Sequence, residues 1–463
     1  MKQELLRFGA GSAETSLNPL TGLIIVLACL LVIFLPRRYV IIPLLLVSFL
    51  IPLGQVIVIA GLHFMMFRIV IMGAVVRVAL TEFPTAKASG FRMNVIDKLF
   101  VCWMISSVIT FTLLWGESGA FVQKMGSLID ACGCYFVLRL LYRNFKDIDR
   151  STKVISLVCV VVAVCMIGEV WTGKNVFHVF GGVPEFADIR EGRLRAQGPF
   201  RHPILAGTFG ATLLPLFIGL WWQKSKARVV AAMGMVSCTV IAVTAASSTA
   251  MGAYVAGIAA ILFWPLRKHL RWFRWAVVAS LAALQIVMKA PVWALIERVD
   301  LVGGSSGYHR YFLVDQFIRR VGEWWLFGTK STNSWGWDMW DTSNQYVEIG
   351  VSGGILTFAL FLAVLVYCFK RLGIARKSVP REIMVQRRLW CLGAALFSHL
   401  VAFVGITYFD QTIISLYALI AMISSATSFA LMSSRTQSVP TKAPARYLKF
   451  PDYSDSSPEL IQT

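Results

Sequence analysis

The sequence is short of charged residues and of the motifs that hold metals or cofactors. Asp, Glu, Lys and Arg make up 15% of its 463 residues, whereas about 25% is usual in soluble domains. All nine cysteines lie within or beside apolar runs, which argues against a disulfide framework and a thiolate metal site. No two histidines have the spacing of metal ligands on a helix, so we expect no metal site and no cofactor. No internal repeat is visible, which argues against an inverted-repeat transporter.

Apolar residues dominate the chain instead, at 57% of the total, and they are arranged in long runs. The runs are about 20 residues long, the length of a membrane-crossing helix, and not the roughly ten-residue alternating segments of a membrane β-barrel. The sequence therefore predicts an all-α polytopic integral membrane protein with about 12–13 transmembrane helices. The predicted spans are 20–36, 39–60, 62–80, 95–115, 120–141, 154–171, 203–222, 228–246, 250–265, 273–293, 349–369, 390–407 and 411–432.

The connectors between these spans predict the orientation of the protein. Lys and Arg are far more frequent in the connectors of one side, which places that side in the cytoplasm. Two larger loops, about 172–202 and 294–348, then face away from the cytoplasm, which for a bacterial protein is the periplasm. An N-terminal segment, 1–19, precedes the transmembrane domain of 20–432, and a disordered cytoplasmic tail is predicted over 433–463. The net charge of +20 is spread over short connectors, so we expect no nucleic acid partner.

The first polar segment, Asp188 to Gly207, reads DIREGRLRAQGPFRHPILAG and concentrates basic residues in front of an apolar run. Glycine and proline interrupt it, so a loop is predicted and not a regular amphipathic helix. Guanidinium groups on such a loop suit the bidentate binding of phosphate or pyrophosphate. The alternative is contact with lipid headgroups. The candidate substrate-binding residues here are Arg193, Arg195, Arg201 and His202.

Arg68 is a charged residue within an apolar run. It lies near the predicted outer end of its span, so it either contributes to the same anion site or pairs with Asp130. Its candidate role is substrate binding.

The second polar segment, Ser305 to Gly354, begins with a predicted helix that runs to Trp325. Arg310 falls in the middle of the apolar stripe of this helix, where a charge is costly unless a ligand or water reaches it. An anionic ligand and a side chain that reaches back to water both explain this position. The stripe consists of Leu313, Val314, Phe317, Val321, Trp324 and Trp325.

Polar and aromatic residues follow this helix. Trp335, Trp337 and Trp340 form either a belt at the membrane interface or a surface on which sugars stack. A cluster of polar residues then lies in front of the next span and offers carboxylates, a hydroxyl and an amide. It consists of Asp341, Ser343, Asn344 and Glu348.

The two polar segments resemble those of the O-antigen ligase and O-antigen polymerase superfamily, GT-C-like enzymes of bacterial surface-polysaccharide synthesis. The resemblance rests on GRLRAQGPFRHPILAG, on Arg310 with WWLFG, and on SNQYVEIGVSGGIL at the start of a span, and it covers roughly residues 60 to 430. It implies a membrane glycosyltransferase whose donor is a glycan on undecaprenyl pyrophosphate. Family members use neither a metal nor a nucleotide sugar, and arginines bind the pyrophosphate. Arg193 or Arg195, together with Arg310, match those arginines.

The chain departs from the family pattern at two positions. Ser343-Asn344 stands where relatives commonly have His-Asn, and Ser248-Thr249 stands where they have Ser-Arg. Because the usual histidine base is missing, Asp341 is our first candidate for the general base and His309 our second, with Arg310 as a catalytic residue and Asn344 as a substrate-binding one.

The expected partners are the lipid-linked donor, a glycan or lipid acceptor, membrane lipids and other polysaccharide-assembly proteins. The missing histidine favours a polymerase or a divergent transferase over a ligase, and an O-antigen ligase that acts on lipid A-core is an alternative. A transporter or flippase of a lipid-linked glycan and a structural partner of an assembly machine are the alternatives.

Overall fold

A computed structural model of the chain describes residues 15–59, 62–88, 91–223, 227–298 and 307–438, and almost all regular structure in these residues is helical. The predicted all-α class is confirmed. The α-helices are α1 Pro19–Phe34, α2 Arg37–Leu50, α3 Met66–Arg77, α4 Phe83–Ala88, α5 Val95–Trp115, α6 Ser118–Leu141, α7 Phe145–Thr172, α8 Pro203–Trp221, α9 Ala227–Thr244, α10 Ser248–Leu262, α11 Leu270–Val287, α12 Gly307–Arg319, α13 Val321–Trp324, α14 Gln345–Ser378, α15 Ile383–Ala402 and α16 Asp410–Ser438.

Short helical turns lie between some of these helices. A π turn follows α3 at Val78–Glu82, and 3-10 turns occupy Val176–Phe180, Trp264–Lys268, Val292–Arg298 and Asn333–Trp335. At the C-terminal end, α16 continues past the predicted start of the tail at residue 433, so that boundary is wrong. The rest of the predicted tail, 439–463, and residues 1–14 of the predicted N-terminal segment lie outside the described residues.

The predicted spans 39–60 and 62–80 are wrong as continuous helices. Helix α2 ends at Leu50, just before Pro52, which cannot donate a backbone hydrogen bond. The apolar residues that follow form two antiparallel strands, β1 (Val56–Ile59) and β2 (Leu62–Met65), before α3 begins. Apolar composition alone does not separate a helix from a strand, which is why the sequence misassigned this stretch.

Seven helices in the described part of the chain are long and apolar enough to cross a membrane. They are α5, α7, α8, α9, α11, α14 and α16, the last over Asp410–Ser433. Two further apolar helices, α1 and α10, are shorter, with 16 and 15 residues. The chain therefore has the helices of a multi-pass membrane protein.

Helix α8 lies at the centre of the bundle. Of its apolar stretch, 89% is buried, whereas none of the apolar stretch of α11 is. Glycines allow its neighbours to approach closely, as is common between membrane helices. A Cβ at Gly207 would lie 2.7 Å from the Cβ of Ala250, and one at Gly210 would lie 2.9 Å from Cγ2 of Ile241. The first polar segment leads directly into this central helix and is therefore fixed to the core.

Ion pairs join helices at the end of the bundle opposite to the polar segments. Arg37 Nη2 lies 2.7 Å from Asp147 Oδ2, and Arg143 Nη2 lies 2.6 Å from Glu82 Oε2. Both carboxylate side chains are 6% exposed. These pairs connect α2 to α7, and the π turn to the connector between α6 and α7, at the end where the sequence predicts the cytoplasm.

Candidate functional site

The first polar segment contains a β-hairpin rather than an irregular loop. Strands β3 (Asp188–Arg190) and β4 (Arg193–Arg195) pair antiparallel across Glu191 and Gly192, which have φ angles of 51° and 72°. The prediction that this segment is not a helix is confirmed. A two-residue turn with positive φ at both positions has a twist that matches the right-handed twist of the paired strands. Glycine adopts a positive φ readily.

The hairpin separates its arginines into two environments. Arg195 is buried, and its Nη1 lies 2.9 Å from Asp188 Oδ2 on the opposite strand. Arg193 is exposed on the same strand. A phosphate at Arg195 would compete with Asp188 for the guanidinium group, whereas the side chain of Arg193 is exposed at the surface.

A buried carboxylate on α7 holds the chain that follows the hairpin. Glu169 is 1% exposed, and its two carboxylate oxygens accept hydrogen bonds from the backbone N–H groups of Gln197 and Gly198, at 3.0 and 2.9 Å. The sequence analysis did not single out Glu169. A lone carboxylate in an apolar run is a signal that would have found it.

Arg201 and His202 are used structurally where the hairpin meets α8. Arg201 forms an ion pair with Asp410 at the start of α16 and packs over the ring of Phe409, 5.1 Å from its centroid. His202 caps α8, because its Nδ1 accepts a hydrogen bond from Ile204 N at 3.2 Å. Burial lowers the pKa of His202, and the charge of Arg195 lowers it further. A neutral imidazole is what this capping role requires.

Arg68 pairs with Asp130, which was one of the two expectations for it. Its Nη2 lies 2.8 Å from Asp130 Oδ2, and its Nη1 donates to the carbonyl oxygen of His63 at 3.0 Å. The guanidinium group is therefore satisfied within the protein, between α6 and the start of α3.

In the second polar segment, the predicted helix is divided in two. α12 ends at Arg319, and α13 starts two residues later; residues 305 and 306 of the predicted start lie outside the described residues. Arg310 is buried together with Leu313 and Phe317, as its place on the apolar stripe predicts. The end of the predicted stripe is wrong, because the break turns Val321 and Trp325 outward.

The second polar segment contacts α14 at a break in that helix. Gly354 has φ 69° within the helix, and the break releases two backbone groups. Val351 O accepts a hydrogen bond from Thr329 N at 2.7 Å, and Ile355 N donates to Trp325 O at 2.8 Å. A Cβ at Gly354 would lie 2.3 Å from the carbonyl oxygen of Leu326. The second polar segment is thus docked into the helix by backbone hydrogen bonds that a regular helix could not make.

The acid–base candidates Asp341 and His309 lie near each other and near Arg310. Asp341 lies at the surface, yet partial desolvation raises its pKa. The charges of His309 and Arg310 lower this pKa, and that of Asp338 raises it. His309 Nε2 is 2.9 Å from the carbonyl oxygen of Asp338. A carbonyl oxygen only accepts, so Nε2 carries the proton and Nδ1 keeps the lone pair when the ring is neutral. Both side chains can therefore accept a proton from a bound hydroxyl.

Asn344 caps α14 and is buried. Its Oδ1 accepts from the N–H groups of Tyr346 and Val347, and its Nδ2 donates to Val404 O at 3.2 Å. Beside it, Thr342 donates to Glu348 at 2.5 Å, and Glu348 lies within electrostatic range of Lys124 on α6. Lys124 was not expected at this site from the sequence.

The connector between α15 and α16 joins the two polar segments. Thr407 Oγ1 donates to the carbonyl oxygen of Thr342 in the second segment, and Asp410 binds Arg201 in the first. Asp410 is three positions after Thr407 in the chain, so their Cα atoms are at most about 11 Å apart. Both polar segments therefore lie at the same end of the bundle and contact the same connector.

In the described residues, no three His, Cys, Asp or Glu side chains are grouped so that they could hold a metal ion. No protein-family model matches this chain, and no curated protein sequence matches it.

Proposed function

We propose that the chain is a membrane glycosyltransferase of the bacterial inner membrane, with about 12–13 spans and both polar segments facing the periplasm. It would transfer or polymerise an oligosaccharide carried on undecaprenyl pyrophosphate, without a metal, in the synthesis of exopolysaccharide or O-antigen. One observation carries the proposal. A carboxylate, Asp341, lies within electrostatic range of a buried arginine, Arg310, and their segment is joined to a second arginine-rich segment by one short connector.

The arginines supply the chemistry for the donor. In the proposed reaction, Arg193 and Arg310 bind the pyrophosphate, while Arg195 and Arg201, which are paired with Asp188 and Asp410, fix the loops around it. Guanidinium groups suit this role because they donate two parallel hydrogen bonds to phosphate oxygens. The resemblance of the polar segments to the O-antigen ligase and polymerase superfamily supports the choice of a lipid-linked donor.

The proposed reaction is a single displacement at the anomeric carbon of the donor. A hydroxyl oxygen of the acceptor attacks that carbon, the bond to the pyrophosphate oxygen breaks, and its electrons stay on the leaving group. Asp341 takes the hydroxyl proton, with His309 as the second candidate. Arg310 and Arg193 stabilise the negative charge that accumulates on the pyrophosphate.

A transporter or flippase of the same lipid-linked glycan is the second candidate. It is favoured by the Arg68–Asp130 pair, because Asp130 lies about 18 Å along α6 from Ser118, half its length. The break in α14 does not favour transport. The 24 residues after Gly354 extend about 36 Å, enough to cross a bilayer without the break, so transport does not need to be invoked to explain it.

The lipid-linked intermediates of a gene-deletion strain test the proposed function. Loss of a polymerase should leave single repeat units on the lipid, whereas loss of a ligase should leave long chains on it. Loss of a flippase should leave lipid-linked units that stay inaccessible from the periplasm. Unchanged intermediates would contradict the proposal.

A further inference from the structure

Two tryptophans of the second polar segment protrude from the surface beside the candidate base. Trp337 and Trp340 are 91% and 70% exposed. Trp335, by contrast, is 2% exposed, and its Nε1 donates a 2.8 Å hydrogen bond to Glu323. The three tryptophans are therefore not equivalent. One anchors the loop and the other two face outward, where an uncovered indole ring is unfavourable in water.

The loop that carries these rings is held in place at several points. Met339, between Trp337 and Trp340, is 2% exposed, and its carbonyl oxygen accepts a 2.6 Å hydrogen bond from Thr332. The ring of Phe312 packs against Gly336, where a Cβ would lie 2.6 Å from its Cε1. The outward aromatic surface thus exists before any ligand binds, which lowers the entropic cost of binding.

We propose that Trp337 and Trp340, with Tyr308, form a stacking surface for a glycan. A pyranose ring has a face of C–H groups and an edge of hydroxyls, so it needs a flat apolar partner and nearby hydrogen-bond acceptors. Tyr308 is 62% exposed and stacks on Phe312, the same residue that contacts the tryptophan loop. The surface supplies the aromatic faces.

The adjacent carboxylates supply the acceptors and distinguish this surface from a membrane belt. Asp338 follows Trp337, and Asp341 follows Trp340, so each outward ring has a carboxylate next to it in the chain. Carboxylates accept hydrogen bonds from sugar hydroxyls, whereas they are repelled by anionic lipid headgroups. Because Asp341 is also the candidate base, a glycan on this surface lies where the acceptor hydroxyl is needed. That acceptor role rests on the proposed function, but glycan binding does not.

Binding of a lipid-free oligosaccharide tests the proposal independently of any activity. The probe is the repeat oligosaccharide released from the surface polysaccharide of the source cell, and its Kd for the purified full-length protein is measured by native mass spectrometry. Trp337→Ala and Trp340→Ala should each weaken binding about tenfold, because an aromatic ring contributes its buried area and its geometry. Trp171→Ala is the control, since Trp171 is 84% exposed at the end of α7. Absent binding, or equal binding by all variants, overturns the proposal.

A second measurement tests the membrane-belt alternative. In nanodiscs with brominated lipid, replacing Trp337 and Trp340 by Phe should remove little of the quenchable tryptophan fluorescence. A loss at least as large as that caused by Trp171→Phe would place both rings in lipid and overturn the proposal. Tryptophan-dependent glycan binding in a protein without transferase activity would support the surface and contradict the proposed function. Transferase activity with an unchanged acceptor KM in both Ala variants would support the proposed function and contradict the stacking surface.

Discussion

Replacing Arg310 with lysine should lower turnover at least tenfold. Arg310 is buried, with 9% of its surface exposed, and its charge acts on Asp341. Lysine keeps the charge but lacks the planar group that bridges two phosphate oxygens. Loss of one hydrogen bond to a charged group costs about 1.5–3 kcal/mol. If that bond forms in the transition state, the rate falls about 10- to 150-fold.

The assay is turnover of lipid-linked oligosaccharide at matched membrane abundance, with Arg319→Lys as the control. The Arg319 side chain is 66% exposed and its Nε lies 2.7 Å from Asp315, so lysine at this position can keep the ion pair. Near-normal turnover in Arg310→Lys would refute the reasoning. An equal loss in both variants would show that burial does not select the functional arginine.

Three further changes have defined outcomes. Asp341→Asn should lower kcat about 100-fold or more with donor binding retained. Because partial desolvation raises the pKa of Asp341, the wild type should lose activity as pH falls through a pKa above that of an ordinary aspartate, and an acid limb at the ordinary aspartate pKa would contradict this role. Glu169→Gln should lower the free energy of unfolding by about 2 kcal/mol and speed tryptic cleavage of the β3–β4 hairpin. An unchanged cleavage rate would show that Glu169 does not hold the hairpin in place. Gly354→Ala should lower the unfolding temperature in detergent, because Gly354 has a positive φ and a Cβ there would meet the carbonyl oxygen of Leu326. Gly373→Ala should not lower it, because there is open space around Gly373. Equal effects of the two substitutions would contradict the docking of the second polar segment at the helix break.

The helical class could be predicted from the sequence because apolar runs of membrane length have few other solutions. The runs did not reveal where a helix ends. Residues 56–59 and 62–65 are as apolar as their neighbours, yet they pair as two antiparallel strands after Pro52. The break at Gly354 was not predicted either, because the hydrogen bonds that satisfy the freed backbone groups come from Trp325 and Thr329, outside the helix.

At the candidate site, local pattern predicted the burial of Arg310. Among the long-range pairs, Arg68–Asp130 was one of two expectations, and the partner of Arg201 was not predicted. Arg310 was found by its position on one helix, which is a local property. The partner of Arg201 is Asp410, 209 positions away, and no periodicity links the two. The residues assigned to substrate binding from their type alone turned out to include a helix cap, Asn344, and an arginine paired within the bundle, Arg68. Whether they also contact substrate stays a prediction.

Purified protein in liposomes that carry a lipid-linked oligosaccharide and a chelator tests the central claim most directly. We expect the glycan to be transferred to an acceptor, with one polyprenyl pyrophosphate released for each bond formed. Movement of the lipid-linked glycan across the bilayer without release of polyprenyl pyrophosphate would contradict the account and identify a transporter instead.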